Sequence, residues 1–205
     1  MPDNATKERI QTMEAYGAKV ILTPSKDSME GAIDYTRNKV ESEGYFMLNQ
    51  FGNDDNWEAH VKTTGPEIWQ DTQGKVTHFV SSMGTTGTIM GCSRYLKKQN
   101  PNIKIVGCQP TDGSSIPGIR RWPKAYLPAI FDASRVDQVI DVSQSDATAT
   151  TRAMAEKEGI FAGMSSGGAM WSALKLCNEL TSGVVVTIVC DRGDRYLSSP
   201  LFERK

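Results

Sequence analysis

Histidine is scarce in this chain: among 205 residues only His60 and His78 carry an imidazole. The four cysteines, Cys92, Cys108, Cys177 and Cys190, are scattered without a CxxC pair. That usage argues against a zinc site and against a disulfide framework, and it makes a reducing compartment, the cytoplasm, the expected home. No apolar run approaches the ~20 residues needed to cross a bilayer. Met1-Pro2-Asp3-Asn4 lacks the apolar centre of a secretory signal. Charge of one sign is missing as well: Lys plus Arg is 23, Asp plus Glu is 24, and the net charge is -1. Such a balance offers no polybasic face to a membrane and no electrostatic footprint for nucleic acid.

What is present is an ordinary globular composition, 39% hydrophobic and 23% charged. The length suits one large domain, or one domain and part of another. Helical and extended patterns alternate along the whole chain. Ala5 to Tyr16 reads as a helix stopped by Gly17, and Lys19 to Leu22 as a short buried strand. Ser28 to Glu43 is a second helix and Tyr45 to Leu48 a second strand. Asn56 to Gln73 is helical with a break at Gly65-Pro66. Val76 to Val80, Ile103 to Gln109 and Val136 to Val142 read as further strands, with a helix from the glycine-rich turn to Leu96. Asp146 to Glu158 is a helix closed by Gly159. Ala169, Met170, Ala173, Leu174, Cys177 and Leu180 recur at helical spacing. Val184 to Val189 is apolar on both faces, the pattern of a central strand in a sheet covered on two sides. The expected fold is α/β with a mostly parallel sheet.

Ligands of open α/β sheets bind outside the carboxyl ends of the strands, and three such ends carry small polar residues. After the Val76–Val80 run comes Ser81-Ser82-Met83-Gly84-Thr85-Thr86-Gly87-Thr88. Its glycines allow close backbone approach, and its hydroxyls lie among amides at a helix start, a combination suited to a phosphate monoester. The same residues also serve simply to turn a strand into a helix. The second end is Gly163-Met164-Ser165-Ser166-Gly167-Gly168, and the third Cys190-Asp191-Arg192-Gly193-Asp194-Arg195-Tyr196. A nucleotide-binding module is a competing reading of the first turn, but neither a Gly-x-Gly-x-x-Gly fingerprint nor a Walker lysine accompanies it. The stretch Pro110 to Phe131 has no clear period, and long loops of that kind often carry function.

Together with Gly113-Ser114-Ser115-Ile116-Pro117-Gly118-Ile119-Arg120-Arg121-Trp122, these three segments resemble the cysteine synthases, and in particular their B form. Those are O-acetylserine sulfhydrylases, pyridoxal-phosphate enzymes of the tryptophan-synthase-β fold (fold type II), and the B form also accepts thiosulfate. The resemblance runs from Met1 to about Phe202. It implies that Gly84, Thr85, Thr86, Gly87 and Thr88 hold the cofactor phosphate. It further implies that Ser165 stands at the cofactor end of its helix and that Cys190 faces the pyridine nitrogen. Gln50, beside Phe51, would meet the substrate carboxylate. The Arg120-Arg121-Trp122 segment would be part of a lid favouring an anionic sulfur donor, and Gly118, with Arg120 and Arg121, would serve the substrate. By themselves, Cys190 reads equally as a small buried hydrophobe, Arg120 and Arg121 as solvated loop charges, and Gln50 as a turn residue.

The resemblance also implies a homodimer, and small-molecule partners: an amino-acid substrate and a sulfur donor. Residues 1–48 would be a remnant of a small mobile domain and residues 49–205 the cofactor domain. The family's Schiff-base lysine stands in a Ser-x-Lys-Asp segment, followed by a Ser-Gly-Asn loop, and neither occurs in these residues; in Ser25-Lys26-Asp27 the serine adjoins the lysine. Met1-Pro2-Asp3-Asn4 matches an interior stretch of the family, so roughly its first third has no counterpart here. The expected reaction is β-replacement giving cysteine, with this chain alone inactive; the alternative is a non-catalytic protein that binds pyridoxal phosphate or another phosphate ligand.

Overall fold

The apolar run near Val80 becomes strand β1, His78–Ser82, the hub of a parallel sheet in the computed structural model, which describes residues 1–203. β1 pairs on one side with β2 (Lys104–Pro110) and on the other with β4 (Val185–Thr187), while β3 (Gln138–Val142) pairs with β2. Among the described residues the sheet therefore has four strands in the order β3-β2-β1-β4. The chain moves outward from β1 to β2 to β3, then returns to the far side of β1. That reversal makes the gap between β1 and β4 a topological switch point, where doubly wound sheets open a crevice for ligands.

Alternation along β1 sends successive side chains to opposite faces. Phe79 joins Ile89, Met90, Leu96 and Ile105 in one buried cluster. Val80 joins Val106, Ile140, Ala173 and Leu176 in another. The first face is covered by α5 (Gly87–Gln99), with α3 (Asp55–Lys62) and α4 (Thr64–Asp71) packed on it. The second is covered by α7 (Met164–Cys177), which carries α6 (Gln144–Glu158) on its back. Each fully buried aliphatic or aromatic side chain contributes about 1.5–3 kcal/mol, so these two clusters are what hold the sheet unit, Gln50–Arg192, together.

Several expectations need correction. Lys19–Leu22 and Tyr45–Leu48 form no regular element and are not strands; the nearest regular pairing is an isolated bridge between Pro2 and Thr23. Their apolar side chains, Ile21, Leu22, Tyr45, Phe46 and Leu48, are exposed. A strand is defined by its partner, and an apolar run alone does not supply one. Val184–Val189 yields only the three-residue β4, at the edge of the sheet and half-buried, instead of a central strand. The break in the helix after Asn56 falls at Thr63 (φ -125°, ψ -77°), two residues before the expected site. Pro66 is accommodated in the first turn of α4, where its missing N–H costs no hydrogen bond.

Met1–Asn49 forms a second unit with residues 193–203, although the sequence pattern places that segment with the cofactor domain. Its helices are α1 (Lys7–Ala15) and α2 (Ser28–Glu43). Polar contacts tie the segment to α1. The Ser198 N–H and hydroxyl both donate to the Glu8 carboxylate at 2.7 Å, and the Thr6 hydroxyl donates to the Arg195 carbonyl at 2.7 Å. The Arg9 guanidinium lies 5.1 Å from the centre of the buried Tyr196 ring.

Candidate functional site

The crevice at the switch point is built from the two strand ends that flank it. β1 ends at Ser82 and runs directly into the Gly84–Thr88 bend, which opens α5. Thr86 occupies the N-cap position with φ 72° and ψ -2°, a left-handed conformation that a β-branched residue adopts only when its surroundings enforce it. Its side chain is buried, and Thr86 Oγ1 has no hydrogen-bond partner among the described residues. A buried hydroxyl left unpaired costs about 1–3 kcal/mol, which is the signature of a group held ready for something that brings its own acceptor.

The start of α7 closes one side of the crevice. Ser82 Oγ donates to the Ser165 carbonyl at 2.7 Å. From the β4 side, the Cys190 N–H donates to Ser166 Oγ at 2.9 Å, and the Gly163 N–H donates to the Asp191 carbonyl at 3.3 Å. The end of β1, the start of α7 and Cys190 are thus linked through hydrogen bonds to two adjacent serines. Cys190 is exposed as a residue, but desolvation around its thiol, reinforced by the neighbouring Asp191 charge, raises its pKa above the usual cysteine value. Hydrogen bonds with Ser165 and Ser166 act in the other direction without reversing the shift. At neutral pH the group offered to the crevice is a thiol, not a thiolate.

The Pro110–Phe131 stretch packs against the bend and the start of α7. The Arg120 N–H donates to the Met83 carbonyl at 2.9 Å, and Trp122 Nε1–H donates to the Gly84 carbonyl at 2.7 Å. Gly118 has φ 93° and sits so close to the bend that a side chain on Gly84 would stand 2.6 Å from its carbonyl oxygen. A side chain on Gly118 would in turn meet Ser165 Oγ at 3.0 Å. These two glycines let three backbone segments approach one another where side chains would hold them apart.

The two arginines of the expected lid behave differently. Arg121 donates to the Pro110 carbonyl at 2.9 Å and pairs with Asp141 at 2.6 Å and Asp112 at 3.2 Å, so its charge is spent anchoring the segment to β3. The Arg120 guanidinium lies 5.1 Å from the Trp122 ring centre, and Trp122 meets Phe51 edge-on at 5.3 Å. Phe51 brings the exposed Gln50 to this segment, where the Gln50 carbonyl accepts from Asn56 Nδ2 at 2.6 Å.

No sequence motif marks the residues that α3 brings to the bend. His60 Nε2 is 3.2 Å from the Thr88 hydroxyl and its Nδ1 is 2.8 Å from the Thr64 hydroxyl, with burial lowering its pKa. Asn56 Nδ2 is 3.1 Å from the Thr85 hydroxyl. Asn56 and His60 are four apart, and so share a face of the helix. That spacing was the available signal, but only the packing of α3 on α5 gives it meaning.

The buried unpaired hydroxyl of Thr86, the hydroxyl-rich helix start and a neutral thiol across the gap form a donor set that fits a phosphorylated aromatic cofactor. A family model of pyridoxal-phosphate dependent enzymes matches residues 1–191. The chain is 59% identical to cysteine synthase B of Pseudomonas aeruginosa over 204 residues, which cover 99% of this chain and 68% of that protein. It is 55% identical to cysteine synthase B of Escherichia coli over 202 residues, covering 98% of this chain and 67% of that protein. A crystal structure of cysteine synthase from Entamoeba histolytica superimposes with a TM-score of 0.89 at 37% identity, covering 100% of this chain and 64% of that chain. The chain spans about two thirds of the length of each of these relatives.

Proposed function

Because the chain belongs to the pyridoxal-phosphate-dependent enzymes, we propose that the crevice at the switch point binds pyridoxal 5'-phosphate and serves the making of cysteine from O-acetylserine and sulfide or thiosulfate. The observation that supports this most is the pair of serine hydrogen bonds joining the end of β1, just before the bend, to Cys190 through the start of α7: Ser82 to Ser165, and Cys190 to Ser166. Bound there, the cofactor supplies an electron sink at the substrate α-carbon, so that acetate leaves and a sulfur nucleophile takes its place.

The chain's own residues have these parts in the proposal. The hydroxyls of Thr85, Thr86 and Thr88, with the amides of Gly84 and Gly87, hold the phosphate. Cys190 presents a neutral thiol to the ring nitrogen, which leaves that nitrogen closer to its unprotonated state than a carboxylate would. Ser165 fixes the spacing between thiol and bend. Gln50 receives the substrate carboxylate, and Gly118 and Arg120 line the side from which an anionic sulfur donor arrives. Arg121 pins that wall through Asp141. As the resemblance implies, the enzyme acts as a cytoplasmic homodimer.

These 205 residues contain no Ser-x-Lys-Asp segment, and covalent attachment of the cofactor needs that lysine. The same observation favours the second reading, in which the chain by itself binds the phosphate ligand without turnover. Titration with pyridoxal 5'-phosphate and with ATP tests both. The expected result is saturable cofactor binding that dialysis reverses, that ATP does not compete with, and that borohydride fixes to no lysine. A borohydride-stable adduct on one lysine would overturn the non-covalent part, and preferential ATP binding the cofactor assignment itself. Joined to the portion of the Pseudomonas aeruginosa relative that it does not match, the chain is expected to release acetate and form cysteine. Cofactor binding with no cysteine formed would refute the transferase reading.

A further inference from the structure

Asn56, in the first turn of α3, touches both ends of the crevice through one side-chain nitrogen. Nδ2 donates to the Gln50 carbonyl at 2.6 Å and to the Thr85 hydroxyl oxygen at 3.1 Å. Thr85 Oγ1 also accepts from the Gly87 N–H at 3.3 Å. A hydroxyl oxygen has two lone pairs and one proton. With an N–H directed at each lone pair, Thr85 can no longer accept, and its own proton is left to be donated. A group that ordinarily plays both roles is thereby fixed as a donor, at a helix start where an anion is already favoured. The amide also fills space that only glycine leaves open, since a side chain on Gly87 would stand 2.0 Å from Asn56 Oδ1.

We propose that Asn56 is a positioning residue for the cofactor phosphate: it presets the Thr85 hydroxyl as a phosphate donor and ties the bend to the Gln50 turn, so that ordering one end of the crevice orders the other. This rests on the cofactor reading above. It adds to that reading a residue that need not touch the cofactor, and a coupling between the phosphate end and the substrate end.

The test uses 4'-deoxypyridoxine 5'-phosphate, which keeps the ring and phosphate but has no aldehyde and so needs no lysine. Affinity is read by fluorescence titration, the phosphate environment by 31P resonance position, and the Gln50 turn by hydrogen exchange of the peptide spanning residues 49–56. Asn56→Leu preserves the side-chain outline and removes both donated bonds. Loss of a hydrogen bond to a charged group corresponds to roughly tenfold to hundredfold weaker binding, and that is the expected loss. The 31P resonance should move, and ligand should no longer protect the Gln50 peptide. In a Thr85→Val background the same substitution should change affinity by less than about threefold, because the hydroxyl it orients is gone.

Thr85→Val with Asn56 intact gives an arm that does not depend on α3 tolerating leucine, and it should show the same loss and the same 31P displacement. Wild-type protein that fails to bind the phosphorylated vitamer would refute the cofactor reading. Wild-type binding with Asn56→Leu and Thr85→Val both unchanged, or an undiminished Asn56→Leu effect in the Thr85→Val background, would overturn the Asn56 assignment alone.

Discussion

The two units of the chain are built on opposite terms. In Gln50–Arg192 the sheet carries a buried cluster on each face, and Phe79, Ile89, Leu96 and Val142 are wholly enclosed. In Met1–Asn49 neither α1 nor α2 buries a single residue, and Tyr16 and Phe46 are 87% and 89% exposed. The sequences are not correspondingly different: Tyr45-Phe46-Met47-Leu48 is as apolar as Thr77-His78-Phe79-Val80. The contrast shows that hydrophobic pattern sets what a segment can bury, while available partner strands set what it does bury.

The largest expected effect pits two phenylalanines against each other. Phe79→Ala removes an enclosed ring from beneath α5 and should cost about 3–5 kcal/mol of unfolding free energy. Phe46→Ala removes an exposed ring and should change stability by no more than about 0.5 kcal/mol. Urea denaturation of both variants measures the difference. A comparable loss for Phe46→Ala would mean that its unit buries the ring in solution, and the contrast would fail.

The legibility of the sequence divides along the same line. β1, β2 and β3, the bend and the helix after it were readable because buried strands in a parallel sheet are both apolar and punctuated by glycine. Lys19–Leu22 and Tyr45–Leu48 have the apolar signal too, but pairing is a long-range property that no local window contains. Val184–Val189 misled in a related way. Its two-faced apolar character predicts a central strand in a sheet covered on both faces, whereas among the described residues β4 pairs with β1 alone. At the site, the small polar segments were visible by composition, whereas the roles open to Asn56, Ser82 and Ser166 depend on which helix lies beside which strand end. Nothing in the local sequence tells Arg121 from Arg120; the Asp141 carboxylate 2.6 Å from Arg121 does.

A smaller effect sharpens the comparison within the sheet unit, between residues that hold the fold and residues held for a ligand. Thr86→Val keeps the shape and removes the buried unpaired oxygen. Without ligand, the variant should be as stable as wild type or more so by about 1 kcal/mol, since the desolvation penalty disappears. Its affinity for pyridoxal 5'-phosphate should nevertheless fall about tenfold, the share of one charge-assisted hydrogen bond. Thermal unfolding and equilibrium titration on the same sample separate the two. A loss of stability with unchanged affinity would make Thr86 a structural residue only.

The smallest effect is alkaline and belongs to the sheet unit alone, because Met1–Asn49 has no cysteine. Burial pushes the Cys92 thiol from 9.0 to about 12, helped by the Glu67 charge. Burial likewise pushes Cys108 to about 11 against opposing hydrogen bonds from Ser172 and Ser82. Above pH 9 the unfolded chain loses these protons while the folded chain keeps them, so the unfolded state binds fewer protons and stability falls as pH rises. Below about pH 8 both states are protonated and neither thiol contributes a slope. By pH 10 each thiol should have withdrawn about 1 kcal/mol, one unit past the unfolded value. Cys92→Ala should therefore show a shallower decline between pH 9 and pH 10 than wild type, whatever its starting stability. Parallel curves for the two proteins would mean that the Cys92 thiol titrates alike in the folded and unfolded states, and that α5 does not seal it from water.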